Sequence, residues 1–390
     1  VRIEVNSVQG RELKITVDGD TLGIDHVQLS WDNFIDVFKS FRGSARVDVS
    51  IQVPRDIALT FGVVYDFGIR DPNFVLGPKI PEANEYHKIV ATEVQRFFPL
   101  FPLLGRWVGW LLGGNDDLGL LVVSNLAALA ALVLVYVLVQ DVTGDRRLAV
   151  ASVWWLALFP AASVLVFAYS ESLALALALG AVLAVRRERW TPAIVLGLAS
   201  GLTRPTGALV AIALLVAVLD DLRRRRGVVI RLAAVVAPGV GAVGYLAWLQ
   251  WRFDSWRVPL DSQRVFRAGW HEPVSRLLTA VVDVAGGQFR DVFNASFAVG
   301  AIVVIVLAAR RLPVGWTIYT AVTLVIALAA NNINSLGRYA FTAFPLAVMV
   351  AVAQQRLPAR WRWLDRLLLP MSGVLMAGYA VAAWSGRMIP

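Results

Sequence analysis

The chain of 390 residues contains no cysteine, which excludes a disulfide, a thiol nucleophile and a thiolate metal site. Its three histidines, His26, His87 and His271, lie far apart, which argues against a dedicated zinc site. Lysine is scarce as well: Lys14, Lys39, Lys79 and Lys88 are the full set, and every later basic residue is arginine. There is no phosphate-binding glycine loop of either usual pattern, no zinc-protease His-Glu pair and no serine nucleophile elbow. No apolar core of sufficient length follows a basic start, so no signal peptide is expected.

What the chain has in abundance is apolar sequence. It is 57% hydrophobic with a mean hydropathy of +0.63, outside the usual range for soluble globular chains. The net charge is +9. Its arginines cluster in gaps between apolar runs: Arg146-Arg147, Arg186-Arg187 with Arg189, Arg223 through Arg226, Arg310-Arg311, and Arg356, Arg360, Arg362 and Arg366. A charge at the bilayer centre costs several kcal/mol, whereas arginine in short cytoplasmic loops is favoured, so the pattern reads as membrane topology rather than nucleic-acid binding.

The lysine-to-arginine switch suggests two segments. Residues 1 to 75 read as a small, soluble-looking α+β segment. Leu13 to Val17 followed by Asp18-Gly19 is a strand entering a hairpin, and Val47, Val49, Ile51 and Val53 alternate as in a half-buried strand. Trp31, Phe34, Ile35, Phe38 and Phe41 have helical spacing between them. Residues 76 to 96 read as a linker or the remnant of a first extracytoplasmic loop. Residues 97 to 390 read as an α-helical polytopic membrane domain with about 9 to 11 membrane segments, each span needing about 20 apolar residues.

The predicted pieces are a membrane-edge segment near 97 to 112 and spans near 118 to 140, 146 to 167, 171 to 185 and 192 to 219. Further spans are predicted near 228 to 250, 295 to 309, 313 to 330, 338 to 353 and 367 to 384. The long run 192 to 219 contains Thr203-Arg204-Pro205-Thr206-Gly207 and is read as two shorter pieces meeting at Arg204. All arginine clusters then share the cytoplasmic side. The opposite side receives Tyr169-Ser170-Glu171, Arg204, the loop from Trp251 to Asn294, and Asn331 to Arg338.

These extracytoplasmic polar residues are the candidate site. Glu171 is a carboxylate at the mouth of a span, a costly position unless it is solvated, paired or functional. Arg204, beside a helix breaker between apolar arms, has the form of broken helices that line polar cavities; a purely structural pairing with Glu171 is the alternative. Arg338-Tyr339 supplies a second cation beside a ring. In the loop, Trp251, Trp256 and Trp270 interleave with Asp254, Arg257, Gln263 and His271, either as an interfacial belt or as a surface for sugar or phosphate. That loop also carries six arginines, at 252, 257, 264, 267, 276 and 290, against the orientation rule. The sequon Asn294-Ala295-Ser296 is read as chance.

Several of these pieces resemble the PIG-V-like mannosyltransferases, relatives of the GPI mannosyltransferases in the multispan GT-C glycosyltransferase class. The resemblance rests on Phe97-Phe98-Pro99-Leu100-Phe101-Pro102-Leu103-Leu104, Ser124-Asn125, Phe159-Pro160 leading to Tyr169-Ser170-Glu171, and Leu202 to Gly207. It continues through Gln263 and Ser335 to Tyr339, then Phe344-Pro345-Leu346, covering about residues 95 to 350. It implies an integral, multi-pass enzyme of the plasma membrane that moves mannose from a polyprenyl-phosphate donor to a lipid or glycan acceptor on the outer face. A divalent-metal requirement stays open. Such enzymes carry a Trp-Asp pair after a first span, and here no apolar run of span length precedes Phe97. Trp31-Asp32 matches the pair but lies too far upstream, while Tyr65-Asp66 has about the expected distance to Phe97 but lacks the tryptophan; the resemblance then implies Asp66 as candidate base, Arg204 and Arg338 for phosphate, and Glu171 to orient an arginine or sugar hydroxyls. Tyr169, Arg257, Gln263, His271 and Tyr339 complete the substrate-binding set. The rival readings are a transporter or flippase of a lipid-linked anion, and a membrane anchor for an N-terminal binding domain.

The orientation is testable because the chain is cysteine-free. Single cysteines at Arg225 and Arg311 are expected to be shielded from an impermeant thiol reagent in intact cells, and one at Ser262 to react. Labelling at Arg225 from outside would reverse the topology.

Overall fold

A computed structural model describes residues 97–219, 227–259, 269–286, 292–331, 333 and 336–384, together with the backbone of three short strands. The chain divides into two compact units, Val1–Gln95 and Arg96–Pro390. In the first, β1 (Arg2–Val5), β2 (Leu13–Val17) and β3 (Asp20–Ile24) form an antiparallel sheet in that order. Val17 pairs with Asp20, and Asp18-Gly19, the dipeptide expected in the turn, lies outside the described residues. The helix expected at Trp31 to Phe41, the strand at Val47 to Val53 and the linker at 76 to 96 lie outside the described residues.

The second unit is helical. Its α-helices are α1 (Leu100–Leu111), α2 (Asp116–Thr143), α3 (Arg146–Leu158), α4 (Glu171–Arg186), α5 (Trp190–Thr203), α6 (Val210–Leu219) and α7 (Val228–Phe253). They are followed by α8 (Pro273–Ala285), α9 (Val292–Ala308), α10 (Val314–Leu328), α11 (Leu336–Phe341), α12 (Pro345–Gln355) and α13 (Asp365–Trp384). Three stretches are long and apolar enough to cross a membrane: Asp116–Thr143, Val228–Phe253 and Ala359–Val381. Shorter apolar helices make up much of the rest.

Local chemistry sets the boundaries. At the α2–α3 corner, Gly144 adopts φ 68° and its N–H donates to the Gln140 carbonyl, closing α2. Asp145 then accepts from the amides of Arg147 and Leu148, opening α3. Prolines account for two departures from the predicted spans. The run 146 to 167 stops as an α-helix at Leu158, just before Pro160, and resumes as a 3-10 turn at Ala162–Leu165. The run 338 to 353 is two helices, α11 and α12, broken ahead of Pro345. The expected break at Arg204 is present: α5 ends at Thr203, a 3-10 turn occupies Pro205–Leu209, and α6 follows. The loop from Trp251 to Asn294 contains a helix, α8, that was not predicted.

Helix α4 is the centre of the bundle, buried along most of its length and packed on α2, α5 and α6. Its shortness, 16 residues, accompanies enclosure by protein on nearly every side. Arg186 and Arg187 at its C-terminal end meet Asp141 near the end of α2 at 3.2 and 3.5 Å. Fifteen rises from Glu171 to Arg186 separate the two ends of α4 by roughly 22 Å.

Helix α5 approaches α7 closely at Gly201, where an added Cβ would lie 2.0 Å from the Pro238 carbonyl oxygen. Only a small residue permits that separation. Gly201→Ala is therefore expected to destabilise the bundle by about 1 to 3 kcal/mol through overpacking, read as a lower unfolding temperature by tryptophan fluorescence in detergent. Gly239→Ala, at a position with nothing within 4 Å of the new atom, is expected not to lower it.

Candidate functional site

Three segments distant in sequence deliver the polar residues to the end of α4 opposite its arginines. The first is the turn before α4. Asn125 on α2 donates to the Val166 carbonyl at 3.1 Å, and Ser124 donates to the Tyr169 carbonyl at 3.2 Å. These bonds pin the connection that ends in Tyr169 and Glu171. The second segment is the break between α5 and α6. Because Pro205 follows it, Arg204 takes an extended backbone (φ −169°, ψ 157°) and leaves the helix axis. The returning turn is held by Ser200 Oγ donating to the Gly207 carbonyl at 3.0 Å, and Gly207 sits so near the Ser200 carbonyl that a Cβ would approach to 2.0 Å.

The third segment is α11, carrying Arg338 and Tyr339. Phe341 on its far end stacks on Phe159 with centroids 4.7 Å apart and planes 7° from parallel, and Phe159 meets Phe297 of α9 edge-on at 5.6 Å. Offset or edge-on aromatic pairs add about 0.5 to 1.5 kcal/mol each beyond their burial. The cluster fixes α11 against the α3 terminus.

At the meeting point, Glu171 is 1% exposed and Arg204 8%. Glu171 Oε1 lies 2.8 Å from Arg204 Nη1 and 2.5 Å from Arg338 Nε. The Arg204 contact is ionic without hydrogen-bond alignment. Arg204 Nε and Nη1, Glu171 Oε2, Ser172 Oγ and Thr206 Oγ1 are all buried with no hydrogen-bond partner among the described residues. The rings complete the surround: Arg338 lies over Tyr169 at 4.2 Å, and the Tyr339 ring is 5.7 Å from both guanidinium groups. Among the described residues two cations share one carboxylate, and Glu171 Oε2 and Arg204 Nε lie buried beside that contact without a hydrogen-bond partner. Chemically this arrangement can hold an oxyanion on the arginines while the spare Glu171 oxygen accepts from a hydroxyl.

Of the sequence-predicted residues, Tyr169, Glu171, Arg204, Arg338 and Tyr339 come together. Arg257 and His271 do not join them: Arg257 lies over the ring of its neighbour Trp256 at 5.3 Å, and His271 Nδ1 is 3.0 Å from the Glu272 carbonyl oxygen. Asp66 and Gln263 lie outside the described residues. Among the described residues no cluster of histidine and carboxylate side chains could hold a metal ion. Asn294 is buried on α9, consistent with a sequon arising by chance. Sequence reasoning assigned no role to the Phe159, Phe297 and Phe341 contact, though the paired Phe-Pro dipeptides on either side of it marked the region. It quoted Ser124-Asn125 without foreseeing that both side chains would hold the Tyr169 turn.

Compared with known protein families, curated proteins and solved structures, the chain matches none. The functional reading therefore rests on the residues themselves.

Removing the shared carboxylate charge takes this counter-charge from the buried Arg204 and the partly buried Arg338. Glu171→Gln is expected to lower stability by about 3 to 5 kcal/mol, measured as an earlier unfolding transition in detergent. The exposed Arg257→Ala is expected to leave the transition in place.

Proposed function

We propose that the chain is a polytopic membrane glycosyltransferase of the GT-C type, moving mannose from a polyprenyl-phosphate donor to a lipid or glycan acceptor at the extracytoplasmic face. The observation that carries this reading is the Glu171, Arg204 and Arg338 cluster, with two cations on one carboxylate and unsatisfied polar atoms beside them. Such an arrangement is suited to holding an oxyanion. The residues that form it are the same ones on which the resemblance to PIG-V-like mannosyltransferases rests.

The membrane reading has its own support. Helices long and apolar enough to cross a bilayer are joined by shorter apolar helices enclosed by protein, a combination suited to broken or short helices inside a polytopic bundle. The arginine clusters at the α2–α3 corner and at the end of α4 sit at the opposite end of α4 from Glu171. With the orientation rule, that end is cytoplasmic and the cluster faces outward.

In the proposed reaction the acceptor oxygen bonds to the anomeric carbon as the bond from that carbon to the phosphate oxygen breaks. The acceptor's proton leaves to a base, and the departing polyprenyl phosphate gains a negative charge. Arg204 and Arg338 meet that charge in a water-poor setting, where preorganised cations act most strongly. Glu171 holds both guanidinium groups in place, since its Oε1 is already engaged. Tyr169 and Tyr339 wall the arginines and offer ring faces to a sugar.

The direct test is release and transfer of sugar from radiolabelled polyprenyl-phosphate mannose by the purified protein. Movement of the intact lipid across vesicles with no sugar release would instead favour the transporter reading. Arg204→Lys keeps the charge but loses the fork of donors, so it is expected to retain part of the activity. Arg204→Ala is expected to lose roughly 30-fold or more, as a phosphate contact worth about 2 to 4 kcal/mol is removed. Full activity in Arg204→Ala would leave that residue a purely structural role.

A further inference from the structure

Helix α8 presents three different faces. Leu277 and Ala280 pack inward on the core shared with α9 and α10. One exposed side is polar, with Ser275 and Thr279. The other exposed side is a stripe of Val274, Leu278, Val281 and Val282 at the i, i+4, i+7, i+8 spacing of one helical face. Val274, Leu278 and Val282 are each at least 60% exposed. A helix in a soluble loop has no reason to keep four aliphatic side chains in water beside a polar strip.

The rotation of α8 is fixed by independent contacts. Arg276 Nε donates to the Asn331 carbonyl at 2.8 Å, and the Asn331 amide donates to the Gly269 carbonyl at 3.3 Å. At the other end of the interaction, Glu272 accepts from the amides of Val274 and Ser275, fastening the first turn. Those amide bonds, Ser275 first, hold the Glu272 carboxyl below its ordinary value. With Arg276 tied down and Ala280 fully buried, the aliphatic stripe cannot turn inward.

We propose that α8 is a bilayer-surface helix, lying along the outer headgroup region with Val274, Leu278, Val281 and Val282 among the acyl chains. The inference rests on the membrane reading above. Four features select a lipid surface as the occupant. At 13 residues α8 is roughly 20 Å long, too short to cross a hydrocarbon core of about 30 Å. Trp270, three residues ahead of it, is 76% exposed, a placement suited to a headgroup-level ring. The helices under α8 are themselves exposed through aliphatic residues, Val299, Val303 and Val306 on α9 and Val314 and Ile318 on α10. Finally, Arg264, Arg267, Arg276 and Arg290 surround α8 in sequence. An arginine-rich sequence beside an amphipathic helix is a composition that anionic headgroups attract.

The consequence for the site is mechanical. Asn331, which α8 grips, opens the segment that leads into α11 and Arg338. The membrane surface therefore sets the position of α8, and α8 helps set that of the arginine cluster.

The absence of cysteine permits a direct test with the full chain in lipid vesicles. Leu278→Cys carrying an environment-sensitive fluorophore is expected to lose emission to shallow spin-labelled phospholipid, more than to deep-labelled lipid, and to resist aqueous iodide. Thr279→Cys, one residue away on the polar side, is expected to be quenched by iodide. Leu126→Cys on the exposed side of α2 serves as the reference for the membrane reading alone. Quenching of Leu126→Cys by lipid, with Leu278→Cys quenched by iodide, overturns the proposal and leaves the membrane reading standing. Stronger quenching of Leu278→Cys by deep-labelled lipid overturns the surface placement, and absence of lipid quenching at both positions overturns both readings.

Discussion

Oxygen Oε1 of Glu171 receives charge from two arginines at once, and the rest of the described helical unit is arranged around that meeting. A carboxylate removed from water is costly unless it is paired, and a pair of guanidinium groups is costlier still unless something holds them together. Pairing all three at the mouth of the central helix, with Glu171 and Arg204 buried and Arg338 partly so, offsets much of that cost. Among the described residues, what stays without a hydrogen-bond partner beside the pair is Glu171 Oε2, Arg204 Nε and the hydroxyls of Ser172 and Thr206.

The surrounding architecture can be read as the means of holding three chain segments together at this contact. Hydrogen bonds from Ser124 and Asn125 fix the turn ahead of Glu171, a proline-imposed extended residue swings Arg204 off its helix, and a stacked pair of phenylalanines seats the short helix that bears Arg338. None of the three devices is strong alone. They act on adjoining atoms, so loosening one shifts the others. The close α5–α7 approach at Gly201 gives the Arg204 end of α5 a rigid backing.

Much of this was legible in the chain. Arg204 announced itself by lying between apolar arms next to a proline, and that break is where α5 ends. Glu171 and Arg338 were legible for the same reason, since a charge beside a long apolar run demands an explanation. A pairing of Glu171 with one arginine was legible, but the meeting of both arginines at a single oxygen was not, because nothing in a linear pattern reports that Arg338, 167 positions away, will reach the same atom as Arg204. Arg257 and His271 were drawn in by composition, aromatic and polar residues mixed in one loop, but composition does not encode distance. The α8 helix was missed because its amphipathic stripe is only 13 residues long and opens on a proline in a polar stretch. Prolines 160 and 345 split two predicted spans for a plain reason: hydropathy averages over a window, whereas a missing amide breaks a helix at one residue.

The sequence separation within the charge cluster bears on how the protein is made. Glu171 and Arg204 are synthesised early and can find each other as soon as α4 and α5 pack. Arg338 comes much later, after α8, α9 and α10 have been laid down. Until it arrives, the central carboxylate has one cation, and Tyr169 has no guanidinium to cover its ring. A half-built bundle therefore carries an open electrostatic seat at its core, which the C-terminal part of the chain closes. The contact between Glu171 and Arg338 can therefore form only once nearly the whole helical unit has been made.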